Sequence, residues 1–205
     1  MRDGAVSHRG EAVTIERFDL WFPPQRPQIP IYVAALFPRM LEIAGELAQG
    51  ALLTWPTSRT IARAVEHVAI GARRAGREAA AVDVASLIPC AVADTAAAAR
   101  DALRPAVGLY AGFFPRYNRL LAEAGFGDSV RAIKDAFDRG GREAAAKVVP
   151  DELIDAVALA GTPQTCHDRL AALRRAGLAL PIVSPRATGP DARAMAMAAI
   201  RACAP

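Results

Sequence analysis

Cysteine, histidine and aromatic residues are scarce in this chain. Its 205 residues include three cysteines and three histidines, and Phe, Trp and Tyr together make up 6%. Cys90, Cys166 and Cys203 are widely spaced with no CxxC pair, which argues against a disulfide scaffold or zinc site and for reduced thiols in a cytoplasmic protein. No second histidine or cysteine stands three or four residues from His8, His67 or His167, so no metal site is expected. No apolar run approaches the ~20 residues of a membrane span. The N-terminal stretch carries Arg2, Asp3, His8, Arg9 and Glu11 and has no signal-peptide core. A Walker lysine loop and a GxGxxG turn are both absent. The net charge of +4 comes mostly from arginines scattered along helices, not from a basic stripe interleaved with aromatics. Nucleic acid and membranes are therefore poor partners, and the scattered charge reads as an ordinary solvated surface.

What is present is apolar and regularly punctuated. With 53% of residues in the hydrophobic set, the chain can bury a sizeable core, and its length predicts one domain. Residues 30–55 set the pattern. An apolar run opened by Pro30 and closed by Pro38 predicts a buried parallel strand. Pro38 suits the first turn of a helix, whose face would carry Met40, Leu41, Ala44, Leu47 and Ala48. Gly50 ends it, and Ala51 to Trp55 starts a second strand. Thr57 or Ser58 caps a helix to about Ala75 with Ile61, Val65, Val68 and Ala72 inward, and Asp83 to Val92 is a third strand. Asp94–Thr95 opens a helix to about Leu109. Residues 110–150 read as short helices broken by Gly125, Gly127, Gly140 and Gly141, an insertion too long for a loop. A helix from Pro150 to Ala160, a Thr162–Pro163 helix start, a fourth strand over Leu178 to Ser184 and a helix after Asp191 complete the chain. Before all this, Met1 to Gly10 reads as frayed, Ala12 to Leu20 as extended, and Trp21 to Pro30 as a proline-rich connector. Four alternations of strand and helix predict α/β with parallel strands.

In such folds ligands gather at the carboxyl ends of the strands. Those ends are Ala35 to Arg39 and Thr54 to Pro56. Small residues there let a ring or phosphate approach the backbone, and the following helix N-terminus favours anions. Arg39 could meet a phosphate or pair with Glu42; Trp55 could stack on a ligand or fill the core. Ser184, Arg186 and Thr188 follow the last strand and could bind phosphate or form a plain exposed loop. Cys166 lies at a helix start, with no His–Asp arrangement to make it a nucleophile. The aromatics Tyr110, Phe113, Phe114, Tyr117 and Phe126 read as packing for the short helices, or else as a substrate lid.

The run Pro30-Ile31-Tyr32-Val33-Ala34-Ala35, followed by Pro38-Arg39, a Met40-Leu41-Glu42 helix with Ala44-Gly45 and then the strand after Gly50, resembles the luciferase-like monooxygenase family. Phe37 stands where that family usually has glycine, and Gln49 where aspartate is common. The resemblance implies a TIM-barrel oxidoreductase using coenzyme F420, a deazaflavin, or flavin mononucleotide (FMN). The pattern is nearest to the methylene-tetrahydromethanopterin reductase-like, F420-using members. It further implies cofactor-binding positions at Ala34, Ala35, Phe37, Pro38, Arg39, Thr54 and Trp55. It begins just before Pro30, so the expected fold is a partial (β/α)8 barrel of roughly the last four units, with a helical insertion at 110–150. The family's acid–base and substrate residues come largely from the first four strands, so no catalytic residue is nominated. An incomplete barrel is expected to form a homo-oligomer or be completed by another chain, and a non-catalytic half-barrel is the alternative reading.

Overall fold

The computed structural model describes residues 5–22, 25–26, 28–187 and 191–204, in two compact units, residues 1–31 and 32–205. The first unit holds an antiparallel hairpin of β1 (Ala5–Arg9) and β2 (Thr14–Asp19). Gly10 N–H donates to Val13 O at 3.0 Å across its turn, and Ser7 Oγ donates to Glu16 O at 2.6 Å. The extended reading of Ala12 to Leu20 corresponds to β2. The frayed reading is corrected for Ala5–Arg9, whose polar side chains hid a strand satisfied by backbone pairing.

The second unit alternates strand and helix. β3 (Tyr32–Ala34), α1 (Pro38–Leu47), β4 (Gly50–Thr54), α2 (Ser58–Arg74) and β5 (Asp83–Val92) come first. α3 (Ala96–Phe113), α4 (Pro115–Leu121), α5 (Gly127–Lys147) and α6 (Asp151–Val157) follow, then β6 (Leu159–Gly161), α7 (Pro163–Arg175), β7 (Leu180–Pro185) and α8 (Ala192–Cys203). The five strands are parallel, in the order β3-β4-β5-β6, with β7 also on β5. β4 and β7 both engage Ala85 to Leu87, so they flank β5 on opposite edges.

Register decides which side chains face the helices. Val33, Ala51 and Val84 align, and with Leu53 they pack on Leu41, Ala44, Ala64, Val68 and Ala72. The predicted faces of α1 and α2 are corrected at their margins, because Met40, Leu47 and Val65 are exposed. Gly45 and Gly71 occupy the closest approach of α1 and α2, where any Cβ would strike backbone of the facing helix. Of the two predicted caps of α2, Thr57 is the one used, and it forms a capping box with Thr60: Thr60 N–H donates to Thr57 Oγ1 at 3.0 Å and Thr57 N–H to Thr60 Oγ1 at 2.9 Å. Thr57→Ala is expected to lose about 1–2 kcal/mol, read as a lowered midpoint in urea with an unchanged m-value.

Ion pairs reinforce the same layer. Glu42 accepts from His67 at 3.0 Å and from Arg74 at 3.1 Å, and Arg74 also donates to Glu46 at 2.6 Å. The hydrogen bonds from His67 and then Arg74 hold the Glu42 carboxyl below the ordinary glutamate range. Such a group stabilises the fold fully above its unfolded-state pKa and loses that contribution as pH falls through its folded one. Thermal stability is thus expected to fall below roughly pH 4, with a flatter decline in Glu42→Gln, measured by melting at stepped pH.

Residues 110–150 are helical and broken at glycines. α3 extends to Phe113, past its predicted end near Leu109, and the helices that follow are interrupted at Gly125 and again, within α5, at Gly140 and Gly141, as read from the sequence. Gly141 takes φ 67°, so the break falls where a left-handed residue is tolerated. α6 stops at Val157, and the residues read as its end form β6 instead, pairing Leu159 with Cys90. The apolar run Val157-Ala158-Leu159-Ala160 suits either state, and burial against β5 decides for strand. Arg100 bridges α3 to α6 through Asp155, at 2.9 and 2.6 Å, and Asp151. Arg104 contacts Asp151 and Val149 O.

Candidate functional site

The sheet face opposite α1 and α2 carries Tyr32 and Ala34 of β3, Leu52 and Thr54 of β4, and Ala85 and Leu87 of β5. At its N-terminal end, Tyr32 Oη donates to Asp83 Oδ2 at 2.5 Å, and its ring lies so close to Gly50 that a Cβ there would sit 2.3 Å away. At its C-terminal end the face opens into a cleft of about 400 Å³. Ala34, Ala35, Leu36 and Phe37 form one wall; Leu52, Leu53, Thr54 and Leu87 form the floor; Met40, Tyr110, Arg116 and Tyr117 close the remainder. The volume lies in the range of small-ligand sites.

Of the positions nominated from sequence, Ala34, Ala35, Phe37 and Thr54 come together here. Pro38 occupies the first turn of α1 as expected, outside the cleft. Arg39 is exposed on that turn, and Glu42, its alternative partner, is engaged by His67 and Arg74. Trp55 is only 2% exposed and belongs to the core with Leu103, Leu121, Ile133 and Leu153. Its ring centroid stands 5.0 Å from that of Tyr110, which in turn contacts Tyr117 at 4.9 Å. Trp55 thus supports the cleft wall from behind. Its φ of 53° is unusual for a bulky side chain, and the buried ring holds the chain there as it leaves β4. Thr188 lies outside the described residues.

Phe37 shows no backbone strain. Its φ of −125° and ψ of 157° are extended, and it precedes α1 as an N-cap without a capping side chain. Glycine is therefore not demanded at this position by conformation. The Phe37 ring is covered by Arg119, whose guanidinium carbon is 4.5 Å from the ring centroid. Arg119 Nε donates to Glu123 Oε1 at 2.7 Å, and Arg63 Nη1 of α2 donates to Glu123 Oε2 at 3.1 Å. Arg119, then Arg63, hold the Glu123 carboxyl below its ordinary range against the opposing effect of burial. This chain of contacts ties the turn after β3 to α4. Arg119→Ala releases Phe37, and since an exposed cation–π contact is worth ~0.5–1 kcal/mol, a shift of roughly two- to fivefold in ligand affinity is expected by titration calorimetry.

Tyr110, Arg116, Tyr117 and Leu87 were not singled out as site residues from sequence. Tyr110 and Tyr117 belong to the aromatics read as packing or else as a substrate lid; both pack, and each also presents a surface to the cleft. The available signal was Arg116-Tyr117 directly after Pro115, an amphipathic pair at a helix start. Leu87 gave no signal, because a leucine inside an apolar strand does not reveal which face it takes. Among the described residues no group of histidine, cysteine or acidic side chains could hold a metal ion, and no helix is long and apolar enough to cross a membrane.

Comparison with known proteins accords with this geometry. Residues 1–180 match the luciferase-like monooxygenase family model. The chain is 32% identical over 193 residues to 5,10-methylenetetrahydromethanopterin reductase of Archaeoglobus fulgidus, covering 91% of this chain and 56% of the relative. It is 32% identical over 165 residues to the Methanolobus tindarius reductase of the same name, covering 80% and 50%. The structure of the coenzyme F420 dependent tetrahydromethanopterin reductase from Methanopyrus kandleri superposes with a TM-score of 0.78 at 28% identity, over 93% of this chain and 55% of that one. An F420-dependent secondary alcohol dehydrogenase shares the fold, with a TM-score of 0.68 at 18% identity, over 99% and 57%. The chain spans about half the length of the curated relatives it matches, and its fold is part of a (β/α)8 barrel. The chain belongs to the luciferase-like monooxygenase family.

Proposed function

We propose that the cleft at the carboxyl ends of β3 and β4 holds the ring of coenzyme F420, with flavin mononucleotide as the related alternative, and that the protein is an oxidoreductase acting on a small organic substrate. The observation that carries this reading is the cleft itself, with the small Ala34 and Ala35 on one wall and aromatic Tyr110 and Tyr117 closing the other side. The residues present fit such a group. Apolar Leu52 and Leu87 suit a ring face, while Thr54, Tyr117 and Arg116 offer polar groups beside it. The N-terminus of α1 has no acidic residue in its first turn, and Arg39 stands exposed beside it, so an anionic tail is favoured there. The relatives named for F420 support the deazaflavin over the flavin.

Bound there, the cofactor supplies hydride-transfer chemistry. Ala34 and Ala35 leave room for a planar ring against the β3 backbone. Tyr110 and Tyr117 exclude water from the opposite side, and Trp55 keeps Tyr110 in place. Phe37, covered by Arg119, walls the cleft toward α4. In this reading residues 32–205 are the C-terminal part of the barrel, its five parallel strands including the short β6, with 110–150 as the helical insertion. Equilibrium dialysis of the chain against F420 and against flavin mononucleotide tests it. Retention of F420 at micromolar concentration supports the reading, and a folded sample that retains neither overturns it.

A second reading rests on a different observation. Leu87, Leu180 and Ile182 align on one sheet face and are 38%, 43% and 38% exposed. Three large apolar side chains in register favour burial by another polypeptide, about 25 cal/mol for each Å² covered. We infer that this face is completed by a second copy or by another chain, and that a non-catalytic half-barrel results where no partner is present. Sedimentation velocity separates the cases: a dimer that Leu180→Lys dissociates supports self-association, and a monomer at tens of micromolar refutes it.

A further inference from the structure

The three cysteines, remote in sequence, converge behind the sheet. Cys90 lies within β5, Cys166 in the first turn of α7 and Cys203 at the end of α8. All three belong to one packed cluster with Ile61, Ile88, Leu159, Leu170 and Leu173. Cys90 and Cys166 are fully buried, whereas Cys203 is partly open to solvent. Cys90 is the central one of the three: it lies on β5, against which both α7 and α8 pack. Cys166 and Cys203 sense each other only through space, and Cys166 has a weak contact of its own, its Sγ 4.0 Å from Gly161 O.

We propose that Cys203 and Cys90 are a peroxide-sensitive thiol pair, forming an internal disulfide that ties α8 to the central strand of the sheet. The chemistry follows from the different surroundings of the two thiols. The neighbouring thiols and burial push the Cys90 thiol upward, so it keeps its proton until its sulfur attacks an oxidised neighbour. Cys203 is the one of the three that solvent reaches, so peroxide meets it first, and its thiolate is the form that reacts. The Cys203 sulfur attacks one oxygen of hydrogen peroxide, the O–O bond breaks, and a sulfenic acid forms with release of hydroxide. The Cys90 sulfur then attacks the Cys203 sulfur, the S–O bond breaks, and the departing hydroxide takes the Cys90 proton. Two thiols lose two electrons in total, and one peroxide becomes two waters. Cys166 is the neighbour left reduced, since it reaches Cys90 but has no access to solvent.

This pair is independent of the cofactor cleft, since none of the three cysteines lines it. The test is to treat the purified folded chain with hydrogen peroxide, block remaining thiols, and map peptides by mass spectrometry without reduction. The expected result is a cross-link between the peptides holding Cys90 and Cys203, loss of two of three titratable thiols, and a raised Tm that dithiothreitol reverses. Cys203→Ser should abolish the cross-link, and Cys166→Ala should retain it, so the proposal does not depend on a Cys90 variant folding. It is overturned if three thiols persist, if Cys203 is carried to sulfinic acid without a cross-link, if the product is an intermolecular dimer, or if Cys90 pairs with Cys166.

Discussion

Gly71→Ala is expected to lower the melting temperature by about 8 °C, taking ~2–4 °C per kcal/mol for a chain of this size. Helix propensity alone predicts the opposite, since alanine exceeds glycine by ~1 kcal/mol in a helix interior. Packing reverses the sign. A Cβ on Gly71 would sit 1.9 Å from the backbone oxygen of Glu42, and one on Gly45 would sit 2.2 Å from that of Val68. Neither obstacle is a flexible side chain that can rotate aside. The helices must separate, which opens the layer of Leu41, Ala44, Val68 and Ala72, and overpacking of this kind costs about 3 kcal/mol. Gly76→Ala is the control. Gly76 has φ 67° with no atom near the missing Cβ, so only the left-handed backbone penalty of ~1–2 kcal/mol applies. Thermal melts of both variants by circular dichroism distinguish the two effects, and equal losses would show that α1 and α2 are not in such close contact.

The second large effect is on ligand binding. Ala34→Phe is expected to weaken F420 binding at least about 100-fold, close to 2.7 kcal/mol, while leaving the melting temperature nearly unchanged. Ala34 ends β3 on the cleft face and is exposed, so an added ring projects into the cleft and not into the core. A benzyl group there takes the space proposed for the cofactor ring. The neighbouring Ala35 is buried among Leu41, Ala44 and Leu53, so its enlargement would confound affinity with folding. Fluorescence titration of native and variant chains checks the expectation, and undiminished affinity in Ala34→Phe would move the site elsewhere.

Much of the architecture is legible in the sequence because local signals agree with tertiary ones. Pro38 at the start of α1, the Thr57 cap of α2 and the Thr162–Pro163 start of α7 each lie where their chemistry places them. β5 matches its predicted span because an apolar run bounded by a charged residue and a turn leaves little freedom. The failures occur where local chemistry is silent. Leu159–Gly161 becomes a strand only because β5 offers it an edge, and His8 and Arg9 join a strand through backbone pairing with β2. For the cleft, the strand-end residues Ala34, Ala35 and Thr54 are readable from position along the chain. Tyr110, Arg116 and Tyr117 come from helices remote in sequence, and nothing local says that α3 and α4 return over the ends of β3 and β4. At Phe37, where the family usually has glycine, the backbone is extended and Arg119 covers the ring, a contact that the sequence pattern does not show.

The central claim is that this cleft is the cofactor site, and heteronuclear NMR tests it most directly. The measurement is to add coenzyme F420 to isotopically labelled chain and follow amide and methyl resonances to saturation. The account predicts shifts concentrated at Ala34, Ala35, Leu36, Thr54, Leu87 and Tyr117, with little change around Cys166 or in the ion pairs of Arg100. No shift at saturating F420, or shifts confined to Ser184 and Arg186 after β7, would contradict it.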